Sequence, residues 1–438
     1  MRSISFTCGG FRRGQIGILS EICENGSTRK NKVAAFGTAR EEDGLERIAL
    51  INGRVVDGTG GPVLDSATVA IEGSTVAGVG PTEESVLPED CKVIDIQGKT
   101  VIPGLIDGHV HVTSMPGLLD AKGKIEAQLR ASEVLREYLF WGTTTIGHAG
   151  GCEENLILRD MIEKGTLKGR ARLIVSGVVT ATGGHVRGEG ADGPWEIRKM
   201  VRRMALDGMD FIKTCATGGF QWAHEGLGSP DYSLEELEAV VAEAHMRGRR
   251  VHVHAHAQPG IRNAIEAGCD VILHGANIDA SALEGIADRG LIFMPTLYIT
   301  SEHIWGSGNL PEHMTGRMKA AYRPHREGAA RAHELGITMA AGTDGGPRPG
   351  AIMHELCELV GCGLTPQEAI VAATRNTAEA LGIGERLGTL EPGKLADCVV
   401  VDGDPLEDIS VLTSRESILM VIKEGRVEVD RLTESDIG

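Results

Sequence analysis

The 438-residue sequence lacks the patterns that mark membrane-spanning and exported proteins. No stretch approaches the ~20 consecutive apolar residues that cross a bilayer as a helix. The N-terminus carries Arg2, Arg12 and Arg13 but no apolar core of ~7 to 15 residues, which a secretory signal peptide requires. Neither a membrane location nor export is therefore expected.

Paired cysteines and an excess of positive charge are also missing. The nine cysteines are scattered and form no CxxC motif or disulfide framework, which favours the reducing cytoplasm. The 44 Lys and Arg residues are outnumbered by 61 Asp and Glu residues, for a formal net charge of −17. Because nucleic acids and anionic membranes attract basic surfaces, we expect neither as a partner.

Short runs rich in Val and Ile alternate with amphipathic stretches between residues 103 and 387, as in parallel strands joined by helices. Eight candidate strands end at His111, His148, Thr180, Thr214, His256, His274, Thr296 and Asp344. Helical patterns cover Lys124 to Trp141, Glu154 to Lys164, Trp195 to Leu206, Leu234 to Arg247 and Glu327 to Leu335. The sequence therefore predicts an α/β fold with a (β/α)8 TIM barrel, whose strand ends converge on one face.

Strand patterns separated by glycine turns also flank the predicted barrel, in residues 48–102 and 388–438. We expect these two flanks to join as one small β-sandwich domain. Residues 1–47 show no clear periodicity and are rich in small and charged residues, which predicts a flexible N-terminal extension.

The first candidate metal ligands are His109 and His111, at the end of an apolar run. Alternate residues of a strand point to the same face, so both imidazoles would face one point. Imidazole nitrogen binds Zn, Fe, Mn or Co ions. Taken alone, the pair fits two polar residues at a strand end equally well.

Lys213 and a triplet of histidines extend this set. Lys213 ends a buried strand pattern; it is either an ordinary lysine that reaches solvent or a neutral amine that forms a carbamate able to bridge two metals. His252, His254 and His256 share one strand face, and the spacing to neighbouring strands favours His254 as the ligand. His252 is then expected in the core, and His256 near the ligands or the substrate.

Two further strand ends complete the set of candidates. His274 ends one apolar run, and Asp344 ends another within a glycine-rich segment. A carboxylate at this place can both bind a metal and accept a proton from water.

Five motifs occur in an order that resembles the amidohydrolase superfamily. They are VIPGLIDGHVHV, FIKTCATGG, VHAHA, ILHG and AGTDGG, followed by GTLEPGKLADCVVVDGDPLEDI near the C-terminus. The resemblance runs from about residue 48 to 427 and is to the imidazolonepropionase-like and Xaa-Pro dipeptidase-like branch.

The resemblance implies two divalent metal ions, with zinc expected. One ion would be bound by His109, His111 and Asp344, and the other by His254 and His274, with carboxylated Lys213 as a bridge. His185, in a TGGH motif, resembles a histidine that lies near the substrate in this branch. At the second strand, however, the branch usually has an Arg-Asp pair where this sequence has Gly147 and His148. This departure bears on substrate preference and not on the metal ligands.

These residues predict hydrolysis of an amide C–N bond by a hydroxide that bridges the two metals. Asp344 would accept the proton of the water and pass it to the leaving nitrogen, and His185 or His274 would stabilise the oxyanion. Candidate substrate contacts are His148, His256, Tyr298 and Arg348.

We expect a small N-acyl amino acid or dipeptide as the substrate. A cyclic amide, or a xenobiotic amide or carbamate, is the alternative, since each would use the same ligands. A deaminase would tend to use one metal without a bridging lysine, and a non-enzymatic binding protein would have lost ligands. Because barrel enzymes of this branch commonly assemble, a homo-oligomer is expected.

Overall fold

The computed structural model describes residues 46–113 and 120–432, so the predicted N-terminal extension lies almost entirely outside the described residues. The described strands are β1 (Arg47–Val55), β2 (Leu64–Glu72), β3 (Thr75–Pro81), β4 (Lys92–Asp95), β5 (Thr100–Pro103), β6 (Leu105–Val110), β7 (Thr143–His148), β8 (Arg172–Val179), β9 (Phe211–Cys215), β10 (Val251–Ala255), β11 (Val271–His274), β12 (Ile292–Met294), β13 (Cys398–Val401), β14 (Ile418–Lys423) and β15 (Arg426–Asp430). The α-helices are α1 (Ala121–Phe140), α2 (Glu153–Glu163), α3 (Gly193–Asp207), α4 (Leu234–His245), α5 (Gly260–Ala267), α6 (Ala280–Arg289), α7 (Glu302–Trp305), α8 (Glu312–Glu334), α9 (Ala351–Gly361), α10 (Pro366–Val371) and α11 (Thr377–Ala380). Among the helices in these two ranges, none is long and apolar enough to cross a membrane.

Strands β6 to β12 form a seven-stranded parallel sheet in the order of the sequence. Every neighbouring pair is parallel, and a helix lies in each of the six connections, as the alternating pattern predicts. All six residues of β6 and of β7 are buried, as expected for parallel strands covered on both faces. The carboxyl ends of the strands therefore lie at one edge of the sheet.

The predicted eighth strand, ending at Asp344, is not formed as a regular strand. Residues 338–344 instead connect the two edge strands by separate hydrogen bonds: the Phe293 amide donates to the Thr338 carbonyl at 3.0 Å on the β12 side. On the β6 side, the amides of Thr343 and Asp344 both donate to the His109 carbonyl, at 3.1 and 2.7 Å. Two successive amides on one carbonyl do not fit a regular ladder, so a full eight-stranded barrel is not confirmed.

The two flanks join in one eight-stranded sheet, as predicted from their strand patterns. Its order is β15-β14-β13-β5-β1-β2-β3, and β4 pairs with β1. The two flanks meet where β13 runs antiparallel to β5. Ile48, Val101 and Val400 belong to its hydrophobic core, which both flanks build. Because the strands belong to one hydrogen-bonded sheet, the expected two-sheet sandwich is not confirmed.

Four of the five predicted helices match α1 to α4 with ends within three residues. Ser233 caps α4 and forms the predicted capping box with Glu236. The fifth prediction was too short, because α8 begins at Glu312 and continues through Pro324. Proline removes one backbone donor from a helix interior, which makes such a helix hard to read from its sequence.

A buried ion-pair network connects the two sheets. Arg172, the first residue of β8, contacts Asp397 and Glu424 at 2.7 Å each, and both Arg172 and Asp397 are buried. This network fixes the amino end of β8 against the flanking sheet. The carboxyl end of β8 therefore faces away from the flanking sheet.

Candidate active site

The carboxyl ends of the parallel strands open on a cavity of about 1100 Å³. All six predicted metal ligands line this cavity, as do two further histidines: His109, His111, Lys213, His254, His274, Asp344, His185 and His256. The folded chain thus brings together residues that are up to 235 positions apart, between His109 and Asp344. This convergence is what parallel strands with polar carboxyl ends are expected to produce.

The tightest group consists of His109, His274 and Asp344, whose possible ligand atoms all lie within 4.8 Å of one another. Asp344 Oδ1 is 3.4 Å from His109 Nε2 and 3.2 Å from His111 Nε2, and its Oδ2 is 3.9 Å from His274 Nδ1. One carboxylate therefore faces three imidazoles, which suits a divalent cation.

A second group of imidazoles adjoins the first. The ring of His254 lies 4.5 Å from that of His274 and 4.6 Å from that of His256, centre to centre. His256 also stacks on His274 at 5.0 Å. His256 thus lies beside the candidate ligands, as the sequence predicts. His252 is buried, and its Nε2 is hydrogen-bonded to the Ala380 carbonyl outside the cavity.

The state of these groups fits metal binding. Burial lowers the pKa of His109 to about 3 and holds the pKa of His254 and His274 well below the usual range, so the rings are neutral. Burial acts to raise the pKa of Asp344, but hydrogen bonds from His109 and His111 hold it well below its usual range. The Asp344 carboxylate is therefore ionised. The Nε2 atom of His274 is buried and has no hydrogen-bond partner. Since buried polar atoms are normally paired, a metal ion is a fitting partner for this nitrogen.

Lys213 is buried on β9, with 3% of its surface exposed. Burial lowers its pKa to about 8, although the electrostatic effects of Cys215 and Asp344 act to raise this pKa. An amine with a lowered pKa is neutral more often at physiological pH. Burial thus increases the fraction of the neutral amine, the form that carbamate formation requires.

Three non-glycine residues at this edge of the sheet have a left-handed backbone conformation. His274, Thr296 and Asp344 have positive φ angles of 69°, 54° and 50°, although none is glycine. Such conformations cost of order 1–3 kcal/mol each and persist where the surrounding structure enforces them. At this edge the strained backbone belongs to two candidate ligands and to Thr296, which contacts His274.

A protein-family comparison matches residues 100–427 to the family described as the amidohydrolase family. The chain belongs to the amidohydrolase family. The ochratoxinase of Aspergillus niger is 31% identical over 239 residues, which are 54% of this chain and 50% of the relative. That match spans about half the length of the relative.

Two longer similarities support the same branch of the amidohydrolases. The imidazolonepropionase of Geobacillus kaustophilus (strain HTA426) is 27% identical over 419 residues, which are 84% of this chain and 91% of the relative. A solved structure of a Xaa-Pro dipeptidase with bound methionine in the active site is 30% identical, with a TM-score of 0.78. The similarity covers 87% of this chain and 99% of that one. The family match indicates a hydrolase that acts on C–N bonds.

Two residues that support the candidate ligands were missed in the sequence. The Thr296 hydroxyl lies 2.7 Å from His274 Nδ1, and Asp107 accepts hydrogen bonds from the hydroxyl and the amide of Thr343 at 2.7 and 3.0 Å. Burial raises the pKa of Asp107 to about 7. The positions of both residues in the sequence could have identified them, because Thr296 ends a predicted strand and Asp107 precedes His109 by two residues.

His185 has a hydrogen-bond partner that the local sequence pattern does not predict. Its Nδ1 lies 2.8 Å from Glu225 Oε2, and its ring stacks on His254 at 4.2 Å. Glu225 is buried and belongs to the loop after β9 of the amidohydrolase chain. The loop conformation, and not residue spacing, brings the two side chains together.

Three predicted substrate contacts lie outside the cavity lining. His148 is fully buried, and its ring nitrogens contact the Val110 carbonyl and the Thr113 hydroxyl at 3.2 Å each. Tyr298 is 6% exposed and packs in the hydrophobic cluster that contains Phe220 and Met318, but it does not itself line the cavity. Arg348 follows the irregular segment, where its amide donates to the Tyr138 hydroxyl at 3.2 Å. Of the four predicted contacts, His256 alone lines the cavity of this amidohydrolase.

Proposed function

We propose that this amidohydrolase is a metal-dependent enzyme that cleaves the amide bond of a small N-acyl amino acid or dipeptide. The observation that carries the proposal is the group of His109, His274 and Asp344, whose ligand atoms lie within 4.8 Å of one another in the cavity. The similarity over almost the whole length of a Xaa-Pro dipeptidase supports a substrate of dipeptide size.

Two divalent ions, with zinc as the proposed metal, are assigned to the candidate ligands. His109, His111 and Asp344 would hold one ion, and His254 and His274 the other, with carboxylated Lys213 as a shared ligand. Divalent ions in such a site polarise a carbonyl oxygen and lower the pKa of a water molecule. The neutral imidazoles and the ionised Asp344 carboxylate are the forms in which these side chains bind metals.

Asp344 is the proposed general base. Its carboxylate oxygens face the cavity, are ionised, and can accept a proton from water before passing it to the leaving nitrogen. Protonation of this nitrogen is needed because an amide anion is a poor leaving group.

A hydrolase of a cyclic amide, or of a xenobiotic amide or carbamate, is the second candidate. It is favoured by the size of the cavity, which at about 1100 Å³ exceeds the usual 300–1,000 Å³ of a small-molecule site. Phe220, Ile299, Met314 and Met318 provide it with an apolar wall. The similarity to an ochratoxinase also supports a bulkier substrate.

The wider organisation is proposed from the sequence and the strand pairing. Residues 103–387 would form a barrel-type catalytic domain, and residues 48–102 and 388–438 a second β-domain. The described cysteines are all free, which supports a cytoplasmic location. We also propose a homo-oligomer that takes a small-molecule substrate and binds neither nucleic acid nor membrane.

The test combines metal analysis with an activity panel. Protein purified in bicarbonate-containing buffer should contain about two divalent metal ions per chain by elemental analysis, and intact mass should show a carbamate on Lys213. The panel should contain dipeptides, N-acyl amino acids, cyclic amides and aryl carbamates. Inactivity on every class, with both metals verified, would count against the proposal.

A further inference from the structure

Arg187 lies in the loop that follows β8 and lines the cavity of the candidate active site. Its guanidinium carbon is 4.6 Å from the centre of the Trp222 ring, as in a cation–π contact. Two residues earlier in the chain, His185 stacks on the candidate ligand His254. Because two residues span at most about 7 Å of extended chain, Arg187 is attached close to the proposed metal centre.

Trp222 is itself held from two directions. Its indole Nε1 donates to the His185 carbonyl at 2.9 Å. Its own carbonyl accepts from Arg317 Nη1 at 2.8 Å, and the carbonyl of Ala223 accepts from Arg317 Nη2 at 2.9 Å. Helix α8, which carries Arg317, therefore anchors the ring on which the Arg187 guanidinium rests.

The guanidinium of Arg187 is exposed and has no acidic partner. In the part of the chain that the structure describes, no carboxylate oxygen lies within 4.0 Å of its nitrogens, and Glu189 of the same cavity lining is no exception. Its Nη2 lies 3.4 Å from His224 Nε2, which leaves most of its five N–H donors available to a ligand. Arginines that stack on rings outside the cavity lining do have a carboxylate partner, as shown by Arg136, Arg326 and Arg415.

A stacked guanidinium with free N–H edges suits a carboxylate. Its planar fork can donate two parallel hydrogen bonds to the two carboxylate oxygens, and it stays charged at every pH at which enzymes work. Lys199 is a second exposed cation of the lining, but an ammonium on a flexible stem offers no such fork. The formal net charge of −17 disfavours anionic ligands in general, so a local cation matters for binding one.

We propose that the Arg187 guanidinium binds a free carboxylate on the leaving-amine side of the substrate, with Trp222 as its positioning residue. The inference rests on the proposed function and narrows its substrate class to amides whose leaving amine carries a carboxylate. A neutral cyclic amide or carbamate lacks this group. Arg348, the arginine that the sequence predicts as a substrate contact, does not line the cavity.

The test uses two compounds with one amide bond each, alanyl-phenylalanine and alanine phenethylamide, which differ only in the carboxylate. We expect kcat/KM of the metal-loaded wild type to be at least about 10-fold higher for alanyl-phenylalanine, the effect of a charged hydrogen bond. Arg187→Gln should bring this ratio close to one, chiefly by raising KM for alanyl-phenylalanine, because the contact is remote from the scissile bond. The ratio does not depend on how much active enzyme a preparation contains.

Further variants separate charge, position and place. Arg187→Lys keeps the charge but loses the planar fork and should retain an intermediate ratio. Trp222→Leu removes the ring beneath the guanidinium and should also lower the ratio. Two controls should keep the wild-type ratio: Lys199→Gln within the cavity lining, and Arg136→Gln, whose guanidinium stacks on Phe140 outside it.

A wild-type ratio near one, or an Arg187→Gln ratio equal to that of the wild type, would overturn the inference, as would loss of the preference in Lys199→Gln alone. If Trp222→Leu does not fold, the Arg187 variants decide. If the metal-loaded enzyme hydrolyses neither compound, the proposed function fails at these substrates, and the two compounds are titrated calorimetrically instead. Tighter binding of alanyl-phenylalanine that is lost in Arg187→Gln would support the inference, and equal or undetectable binding of both compounds would overturn it.

Discussion

At the scale of single residues, the orientation of His274 depends on Thr296. The Thr296 hydroxyl lies 2.7 Å from His274 Nδ1, which leaves Nε2 buried and unpaired at the candidate metal site. Groups that hold the second nitrogen of a metal-binding histidine fix its tautomer and ring orientation. Thr296 is therefore placed to support the metal binding that we propose for His274.

We expect Thr296→Val to weaken metal binding by roughly 10- to 100-fold, because the variant loses this hydrogen bond while keeping its shape. Competition with a chromophoric chelator measures the dissociation constant directly. Thr296→Ser retains the hydroxyl and should bind the metal as the wild type does. Equal affinity in the valine variant would show that the hydroxyl does not support the site.

Lys213 allows a second test at this scale. Lys213→Met keeps a chain of similar length but cannot form a carbamate, so we expect about one divalent ion per chain where the wild type binds about two. Removal of a buried amine should leave the free energy of unfolding of the metal-free protein unchanged or raised. Elemental analysis and urea unfolding measure the two effects, with exposed Lys122→Met as the control. Retention of both metals would contradict the bridging role.

The sequence predicts the residues at strand ends better than those that support them. His109, His254 and His274 follow from strand alternation and from the convergence of parallel strands at one edge. Glu225 could not be found in this way, because a loop conformation determines its contact with His185. His148 also ends a strand, but its ring contacts the neighbouring backbone and does not line the cavity.

At the scale of elements, helix α8 is connected to the site through His325. Its Nε2 donates to the carbonyls of His274 and Pro295, at 2.9 and 2.8 Å, and its Nδ1 lies 2.9 Å from the Thr300 hydroxyl. The ring is fully buried, and burial lowers its pKa to about 4. The folded protein therefore holds this ring in its neutral form near pH 7.

This pKa makes the contribution of His325 dependent on pH. In the unfolded chain the ring takes up a proton near pH 6.5, whereas in the folded chain it does so only near pH 4. The stability that His325 provides is thus present above pH 6.5 and is lost as the pH falls towards 4. We expect the stability deficit of His325→Gln to shrink by about 2 kcal/mol between pH 7 and pH 5. Urea unfolding with a chelator present measures the free energy of unfolding of the wild type and of His325→Gln. A difference between them that does not change with pH would contradict the lowered pKa of His325.

The eighth strand marks the limit of prediction at this scale. The apolar run before Asp344 predicts a strand, and the chain does lie between β12 and β6. The positive φ of Asp344 and the double hydrogen bond to His109 interrupt the regular ladder there. Such strain is decided by the tertiary environment of the site and leaves no periodic signal in the sequence.

At the scale of the whole molecule, the Arg172 network couples the two sheets. Removing one partner of a buried ion pair typically costs about 3–5 kcal/mol, whereas replacing both with apolar residues costs much less. We expect Asp397→Leu to lose stability in that range and the double variant Arg172→Met/Asp397→Leu to recover much of the loss. Urea unfolding of Arg172→Met, of Asp397→Leu and of the double variant gives the coupling free energy between the two residues. Additive losses would show that the sheets are held together by other contacts.

Exposed apolar side chains on the outer surface are relevant to the proposed homo-oligomer. Helices α1 and α2 pack together. Ile125 and Leu129, one turn apart on α1, and Ile157 on α2 are between 62% and 64% exposed. Exposed apolar side chains that cluster on adjacent helices are typical of protein interfaces, and a two-fold interface would pair this surface with itself.

We therefore expect the wild-type chain to be oligomeric at micromolar concentration and Leu129→Glu/Ile157→Glu to be monomeric, because each new carboxylate would be buried without a partner. Light scattering coupled to size-exclusion chromatography measures the mass. Val86→Glu, at a residue that is 72% exposed and lies outside these helices, is the matched control and should leave the mass unchanged. An oligomer that survives the double substitution would place the interface elsewhere, and a monomeric wild type would refute the proposed assembly.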